Sequence, residues 1–306
     1  MLCRMCRNDK KKVKAVIYIR HHRLALCAQH FVVWFERQVE RTIRTFKMLK
    51  KNEELLVAVS GGKDSLSLWF VLHKLGYKAT GLHINLGIEE VSESAQRACE
   101  GLAERIGAPL KVVNLRKEIG YSIKELSAKL RRRDICSVCG TIKRYLMNKV
   151  AVDKGINVVA TGHNLDDETA QLLSNVTRWD IGYLGRQSPV LPEREGLARR
   201  IKPFCMLTEK ETVSYAILND IGYSETPCPY SFKATSPVFK RALAMLEHQM
   251  PGTKLRFYRE FLRKGKPTFE EKTREQLRLN KCNVCGAPTT AELCSVCRML
   301  KAVKEC

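Results

Sequence analysis

Short apolar runs alternate with helically spaced apolar residues through the middle of the chain. Residues 55–59 ("LLVAV") form an aliphatic run, and Leu66, Trp69, Phe70 and 72–75 then recur at helical spacing. "ATGLHINL", "LKVVNL" and "INVVAT" repeat the strand pattern, with helical patterns over 92–106, before Arg131, from about Thr141 and after "GHNLDDE". Strands covered on both faces and separated by helices predict an α/β fold, a doubly wound parallel sheet. Such sheets bind ligands at the carboxyl ends of their strands. Outside this core, "VKAVIYIR" alternates like a hairpin strand, 31–50 carries Trp34, Phe35, Val39 and Ile43 at helical spacing, and the helical stretch 236–264 offers a surface for a homodimer.

Two loops stand at predicted strand ends. In "SGGKDS" (60–65), Gly61 and Gly62 let backbone N–H groups approach a ligand, Ser60 and Ser65 add hydroxyls, and a helix beginning near Asp64 or Ser65 favours negative charge. That describes an anion cradle, and it does not fit the GxxxxGK[ST] loop of ordinary NTPases. "GHNLDDE" pairs two carboxylates, which suit Mg2+ or cap the following helix. Asp166 is the better cap and Asp167 the better chemical group.

The charge changes the picture. A net +22, from 54 Lys and Arg against 32 Asp and Glu, attracts a polyanion, and nucleic acid is the first candidate. Arg131, Arg132 and Arg133 are the first candidates for contact with it, and Arg199 and Arg200 weaker ones. No apolar run approaches a membrane span and the charged start lacks a signal-peptide core, so a cytoplasmic protein with no membrane partner is expected.

Thirteen cysteines then point to metals rather than disulfides. Cys3 and Cys6, with Cys27 and His30 of "CAQH", offer four ligands for a first Zn2+; Cys282, Cys285, Cys294 and Cys297 form a ribbon for a second. With four protein ligands each, both sites are expected to be structural. Cys136 and Cys139 of "ICSVCG" and Cys228 of "TPCPYS" leave three readings open on spacing alone: an iron–sulfur cluster, a further zinc site completed by Cys205, or a redox pair.

"SGGKDS" matches, residue for residue, the SGGxDS loop of the ATP pyrophosphatase (PP-loop) family. The succession CxxC…CxxH, SGGKDS, GLHI, CSxCG followed by Lys143, GHNLDDE, TPCPYS, MPGTKLRF and a four-cysteine ribbon resembles, over essentially the whole chain, the tRNA 2-thiouridine synthetases of the TtuA type. The resemblance implies a [4Fe–4S] cluster on Cys136, Cys139 and Cys228, two Zn2+, and ATP held by Ala58, Ser60, Gly61, Gly62, Lys63, Asp64, Ser65, His83, Ile84, Lys143, Gly162 and Asp167, although a satisfied half-buried histidine describes His83 equally well. It further implies tRNA as substrate, modified at the 5-methyluridine 54 of the T-loop, and a ubiquitin-like sulfur carrier ending in a thiocarboxylate as donor. Cys99, Cys205 and Cys306 fall outside the pattern and read as ordinary thiols.

The expected organisation is a zinc finger (1–33), a linker helix (34–53), the PP-loop catalytic domain (54–272) and a zinc ribbon (273–306). The expected catalytic groups are Lys63, stabilising charge as pyrophosphate departs, Lys143 between cluster and nucleotide, and Asp167, taking a proton or holding Mg2+. The competing readings are thiolation of the wobble uridine 34, a non-catalytic zinc-ribbon RNA-binding protein, and an amide-forming ATP pyrophosphatase, which needs no cluster.

Overall fold

The computed structural model describes residues 1–8, 11–130, 134–231, 235–274 and 279–305. Helix α1 (Arg4–Asn8) and the antiparallel strands β1 (Ile17–Ile19) and β2 (Leu24–Leu26) lead into α2 (Ala28–Thr45). The central body runs β3 (Glu54–Ala58), α3 (Lys63–Lys74), β4 (Lys78–Asn85), α4 (Glu89–Ile106), β5 (Leu110–Asn114), α5 (Leu115–Ile119), α6 (Ile123–Lys129) and α7 (Ile135–Asp153). It continues through β6 (Val158–Thr161), α8 (Leu165–Thr177), α9 (Ile181–Arg186), β7 (Val190–Leu191), β8 (Arg199–Ile201) and α10 (Glu209–Leu218). Then come α11 (Ser236–Gln249), α12 (Thr253–Glu260), α13 (Lys266–Arg274), the short pair β9 (Asn280–Lys281) and β10 (Pro288–Thr289), and α14 (Ser295–Lys304).

The expected parallel sheet is present. Its six strands stand in the order β5-β4-β3-β6-β8-β7, and only β7 pairs antiparallel. From β3 the chain moves outward to β4 and β5, then returns through α7 to lay β6 on the other side of β3. The strand order therefore reverses beside β3, which opens a crevice at the carboxyl ends of β3 and β6. Alternate residues of each strand feed two cores. Leu55 and Val57 face one with α2, α3 and α4, while Leu56, Leu82 and Val159 face the other with α7.

The cysteine modules close these two cores from opposite faces of the sheet. Cys3, Cys6 and Cys27 belong to the first, and Cys282, Cys294 and Cys297, with Val296 and Met299, to the second. Helix α2 is no linker: it starts at Ala28, three residues earlier than its apolar spacing predicts, and buries Phe31, Phe35, Val39 and Ile43. Phe35 stacks on Tyr215 at 4.2 Å and meets Phe204 edge-on. Truncating such a fully buried aromatic costs about 3–5 kcal/mol, so this helix ties the finger rigidly to the sheet. The stretch expected to be continuous over 236–264 is broken at Pro251 and Gly252, because proline at 251 cannot donate to the ladder and Gly252 takes φ +96°.

Candidate active site and metal centres

The SGGKDS loop leaves the carboxyl end of β3 and turns into α3 at Lys63, with Gly62 as an N-cap that has no side chain. Ser65 Oγ accepts from Ser60 N (3.0 Å), donates to Gly62 O (3.0 Å) and lies 3.1 Å from Ser60 Oγ, so the hydroxyls hold the turn itself. The first N–H groups of α3 are left facing the crevice.

The two glycines do different work. Gly61 takes φ +80°, and a Cβ there would lie 2.5 Å from Ala95 Cα, so it is required by packing. A Cβ on Gly62 would meet only Ser60 Oγ, at 3.6 Å, so the open approach to a ligand is at Gly62. Gly162, at the end of β6, is pressed on the first loop: its Cβ would come within 2.9 Å of backbone atoms of Asp64 and Ser65. The two motif loops thus touch.

Around them runs a chain of charges. Lys63 Nζ contacts Asp64 Oδ2 (3.0 Å) and Glu209 Oε1 (2.9 Å); Lys240 Nζ contacts Glu209 Oε2 (3.3 Å) and Asp167 Oδ1 (2.6 Å). Burial pulls the Lys63 ammonium down, but its bonds to Glu209 and Asp64 outweigh that and hold it above the ordinary lysine range. Burial likewise pushes the Glu209 carboxyl up, and the two lysines overcome this and hold it below the usual carboxylate range. Thr212 Oγ1 donates to Asp64 Oδ1. Asp64, Asp167 and Glu209 therefore bring hard oxygen ligands, of the kind Mg2+ takes, to the mouth of the phosphate cradle.

For the paired aspartates the structure corrects the capping half of the expectation. Asn164 is the N-cap of α8, and Asp167, three residues on, returns a 3.0 Å bond to its N–H in a capping box. Asp166 does not cap; it is buried against Lys254 Nζ at 2.5 Å and accepts from Glu209 N at 2.8 Å. Asp167 keeps its second oxygen for Lys240 and is the less buried of the two. His83 is buried with Nδ1 donating to Val59 O at 2.9 Å, so on that nitrogen it is a satisfied histidine; Nε2 has no partner among the described residues. Ile84 follows it on the opposite face of β4, toward α7.

Helix α7 begins at Ile135, six residues before the expected Thr141, because Asp134 caps it by accepting from Cys136 N (3.2 Å) and Ser137 N (3.1 Å). Cys136 and Cys139 therefore sit on its first turns, with Lys143 one turn further along. Cys228 packs against the same core, Cys136 Sγ reaches Tyr230 O at 3.4 Å, and Ser224, four residues before Cys228, donates its N–H to Gly61 O at 2.9 Å. The thiol trio is thus joined to the phosphate loop. Burial raises the Cys136 and Cys139 thiols, with Cys228 adding to it, while the charge of Lys143 opposes the rise at both and its hydrogen bond does so at Cys139.

The end clusters have a different geometry. The ligand atoms of Cys3, Cys6, Cys27 and His30, and those of Cys282, Cys285, Cys294 and Cys297, lie within 4.8 Å of one another. Cys6 and Cys27 sulfurs are 3.8 Å apart and those of Cys285 and Cys294 3.7 Å, which fits the separation of about 3.8 Å across a tetrahedron with 2.3 Å zinc–sulfur bonds. Among the described residues the trio forms no such 4.8 Å group. All three of its thiols are partly exposed. Cys205 is wholly buried and its thiol pushed far up by burial, so it completes no site at Cys136; Cys99, pushed up to about 12 by burial, is likewise an inert thiol.

Of the arginines expected at RNA, Arg131, Arg132 and Arg133 lie outside the described residues, as does Cys306. Arg199 pairs with Glu53, and Arg200 is held below the ordinary arginine range by burial and by Arg144, so both serve the sheet. Sequence reasoning missed Glu209, Lys240 and Lys254. The signals for two were there: "TEKE" (208–211) reads as a capping box that places Glu209 on a first helical turn, and Lys254 stands in "MPGTKLRF".

Residues 34–233 match the PP-loop domain, and residues 12–32 the N-terminal LIM domain of the 2-thiouridine synthetase TtuA. The chain is 46% identical to the tRNA-5-methyluridine(54) 2-sulfurtransferase of Thermus thermophilus, over 99% of this chain and 92% of that protein. It is 41% identical to the Pyrococcus horikoshii protein of the same name, over 100% and 95%. Among solved structures, the U34-tRNA thiolase NcsA of Methanococcus maripaludis, with its [4Fe-4S] cluster, superposes with a TM-score of 0.81 at 26% identity, covering 98% of this chain and 96% of that one. The touching motif loops, the three thiols beside Lys143 and these likenesses give one conclusion: the chain belongs to the PP-loop family, and within it to the tRNA-5-methyluridine(54) 2-sulfurtransferases.

Proposed function

We propose that this protein activates the C2 carbonyl of 5-methyluridine 54 in tRNA with ATP and replaces its oxygen by sulfur, acting in the cytoplasm. The observation that carries the reading is the bond from Ser224 N to Gly61 O, which ties the segment of Cys228 to the phosphate loop. Sulfur transfer and nucleotide activation then share one crevice.

The C2 oxygen of a uridine is a poor leaving group. Its attack on the α-phosphorus of ATP releases pyrophosphate and makes it part of a phosphate ester, and sulfur attack at C2 then expels AMP. Phosphate oxygens are received by the N–H groups of α3 and by Lys63, which exchanges Glu209 for the triphosphate. Ala58 and Ile84 close the strand ends beside the nucleoside. Asp167, with Asp64, offers carboxylate oxygens to Mg2+ and a proton acceptor near the transferring group. Lys143, one turn beyond Cys139, holds a cation between the thiols and the phosphate loop. Cys136, Cys139 and Cys228 would hold a [4Fe–4S] cluster by three irons, and that cluster would supply a Lewis-acidic iron free of protein thiolate. The two Zn2+ are structural, closing the finger (1–33) and the ribbon (273–306). The sulfur donor is a carrier protein ending in a thiocarboxylate, whose C–S bond is cleaved by water, leaving a carboxylate and releasing hydrosulfide, the nucleophile that loses its proton as it adds at C2. Helix α11, with Val238, Met245 and Leu246 exposed and Met250 exposed at its end, is the face of a homodimer.

The test is nucleoside mass spectrometry of a tRNA carrying 5-methyluridine 54, incubated anaerobically with cluster-loaded protein, ATP and a sulfur source. Sulfur at position 54, dependent on ATP, is expected. The likeness to NcsA favours a second reading, thiolation of uridine 34, and sulfur found there instead rejects the first.

A further inference from the structure

Away from the motif loops, a cavity of about 620 Å³ opens between α2 and α12. Its floor is apolar, with Leu207 and Leu255, and its mouth carries Trp34, His22, Arg41 and Arg259. His22 and Trp34 meet edge to face at 5.8 Å. Burial, with the guanidiniums of Arg259 and Arg41 beside it, holds the His22 imidazole below its ordinary range, so at neutral pH it presents an uncharged aromatic ring. Arg263 is engaged by Glu260 at 2.7 Å, whereas Arg41 and Arg259 have no ion-pair partner among the described residues. An aromatic wall over an apolar floor, with two unneutralised cations at the rim, is what an unstacked nucleotide and its flanking phosphates require.

We infer that this cavity takes a second, unpaired nucleotide of the tRNA substrate, its base against Trp34 and His22 and its phosphates on Arg41 and Arg259. The inference rests on the proposed tRNA activity. RNA is favoured over an acidic protein because the cavity pairs aromatic rings with arginines on a chain of net charge +22. The cavity also communicates with the chemistry. Its floor residue Leu207 accepts from Leu165 N at 2.7 Å at the start of α8, and Leu255 follows Lys254, the partner of Asp166. A tRNA seated here is thereby held at both the reacting base and a point beyond it.

The test compares the full-length, metal-loaded protein with its Arg41→Ala/Arg259→Ala double variant, measuring tRNA binding by fluorescence anisotropy over a potassium chloride series. With the two guanidiniums no longer neutralising phosphates, the slope of log affinity against log salt becomes shallower by about 1.4–1.8 and affinity near 0.1 M salt falls by tenfold or more. ATP binding is unchanged. In parallel, tRNA quenches a part of the tryptophan fluorescence that Trp34→Phe removes. An unaltered slope and affinity in the double variant, or quenching that survives Trp34→Phe, overturns the inference. So does quenching of Trp34 by poly-glutamate but not by tRNA, which assigns the cavity to an acidic protein. Failure of the wild-type protein to bind tRNA would instead refute the tRNA activity on which the inference rests.

Discussion

The finger and α10 meet through two buried groups whose titrations oppose each other. His21, between β1 and β2, places Nε2 3.5 Å from Glu211 Oε1, and both side chains are enclosed. Burial pushes Glu211 from 4.5 up to about 7, against the bonds it accepts from Thr208. Burial, helped by His22, pulls His21 from 6.5 down to about 4. From pH 4.5 to 7 the folded protein keeps a proton on Glu211 that the unfolded chain has released, so this contribution to stability falls as pH rises. From pH 4 to 6.5 the unfolded chain takes up a proton that folded His21 refuses, so that contribution rises with pH. The first displacement corresponds to about 3 kcal/mol, and the second, for the less enclosed His21, to about 2 kcal/mol. The two slopes nearly cancel in the native chain. Glu211→Gln retains an acceptor for the Thr208 N–H and removes one slope. Urea unfolding of the zinc-loaded variant and parent from about pH 5 to about pH 7 should show the variant gaining an advantage of about 2–3 kcal/mol as pH rises. An advantage that is constant with pH, or that shrinks as pH rises, would refute the reasoning.

Further outcomes are expected at the site itself. Gly61→Ala, which forces a Cβ 2.5 Å from Ala95 Cα at φ +80°, should unfold at markedly lower denaturant, whereas Gly62→Ala should keep its stability and lose ATP affinity, both read by urea titration and nucleotide binding. Cys228→Ser should lose iron and sulfide on elemental analysis while retaining zinc; retention of full iron would remove Cys228 from the cluster. Lys143→Met should slow thiolation by about a hundredfold, an effect of the size seen for one lost charge-stabilising donor, with little change in tRNA affinity. Lys254→Met leaves a buried carboxylate unpaired and should cost about 3–5 kcal/mol, much of it restored by adding Asp166→Asn; no recovery would show that the pair is not the cause.

Much of the sheet and of the metal ligands was legible in the sequence. Strand patterns at 55–59, 79–86, 110–115 and 156–161 marked four of the parallel strands because buried strands leave short apolar runs, and cysteine spacing marked both end clusters because zinc ligation is local along each knuckle. Helix starts were less legible. Apolar spacing placed the α7 start at Thr141, since the turn before it is filled by cysteines and a serine, and the capping bonds of Asp134 decide it instead. The roles of Asp166 and Asp167 depend on Lys254 and Lys240, which come from helices more than seventy residues downstream. No local pattern announces such partners. Glycine was legible as a signal for close approach but not for which neighbour approaches: at Gly61 and Gly162 it is the protein's own backbone and side chains rather than a ligand.

The contact at Gly162 has a consequence for how this crevice can move. With no room for a single carbon between it and the Asp64–Ser65 peptide, the ends of β3 and β6 are fused into one block without relying on any rotatable group. Opening and closing around a nucleotide must then come from the other wall, where Lys240 and Lys254 reach in from α11 and α12. The floor of the site is thus set by backbone packing, and its far wall by ion pairs to α11 and α12.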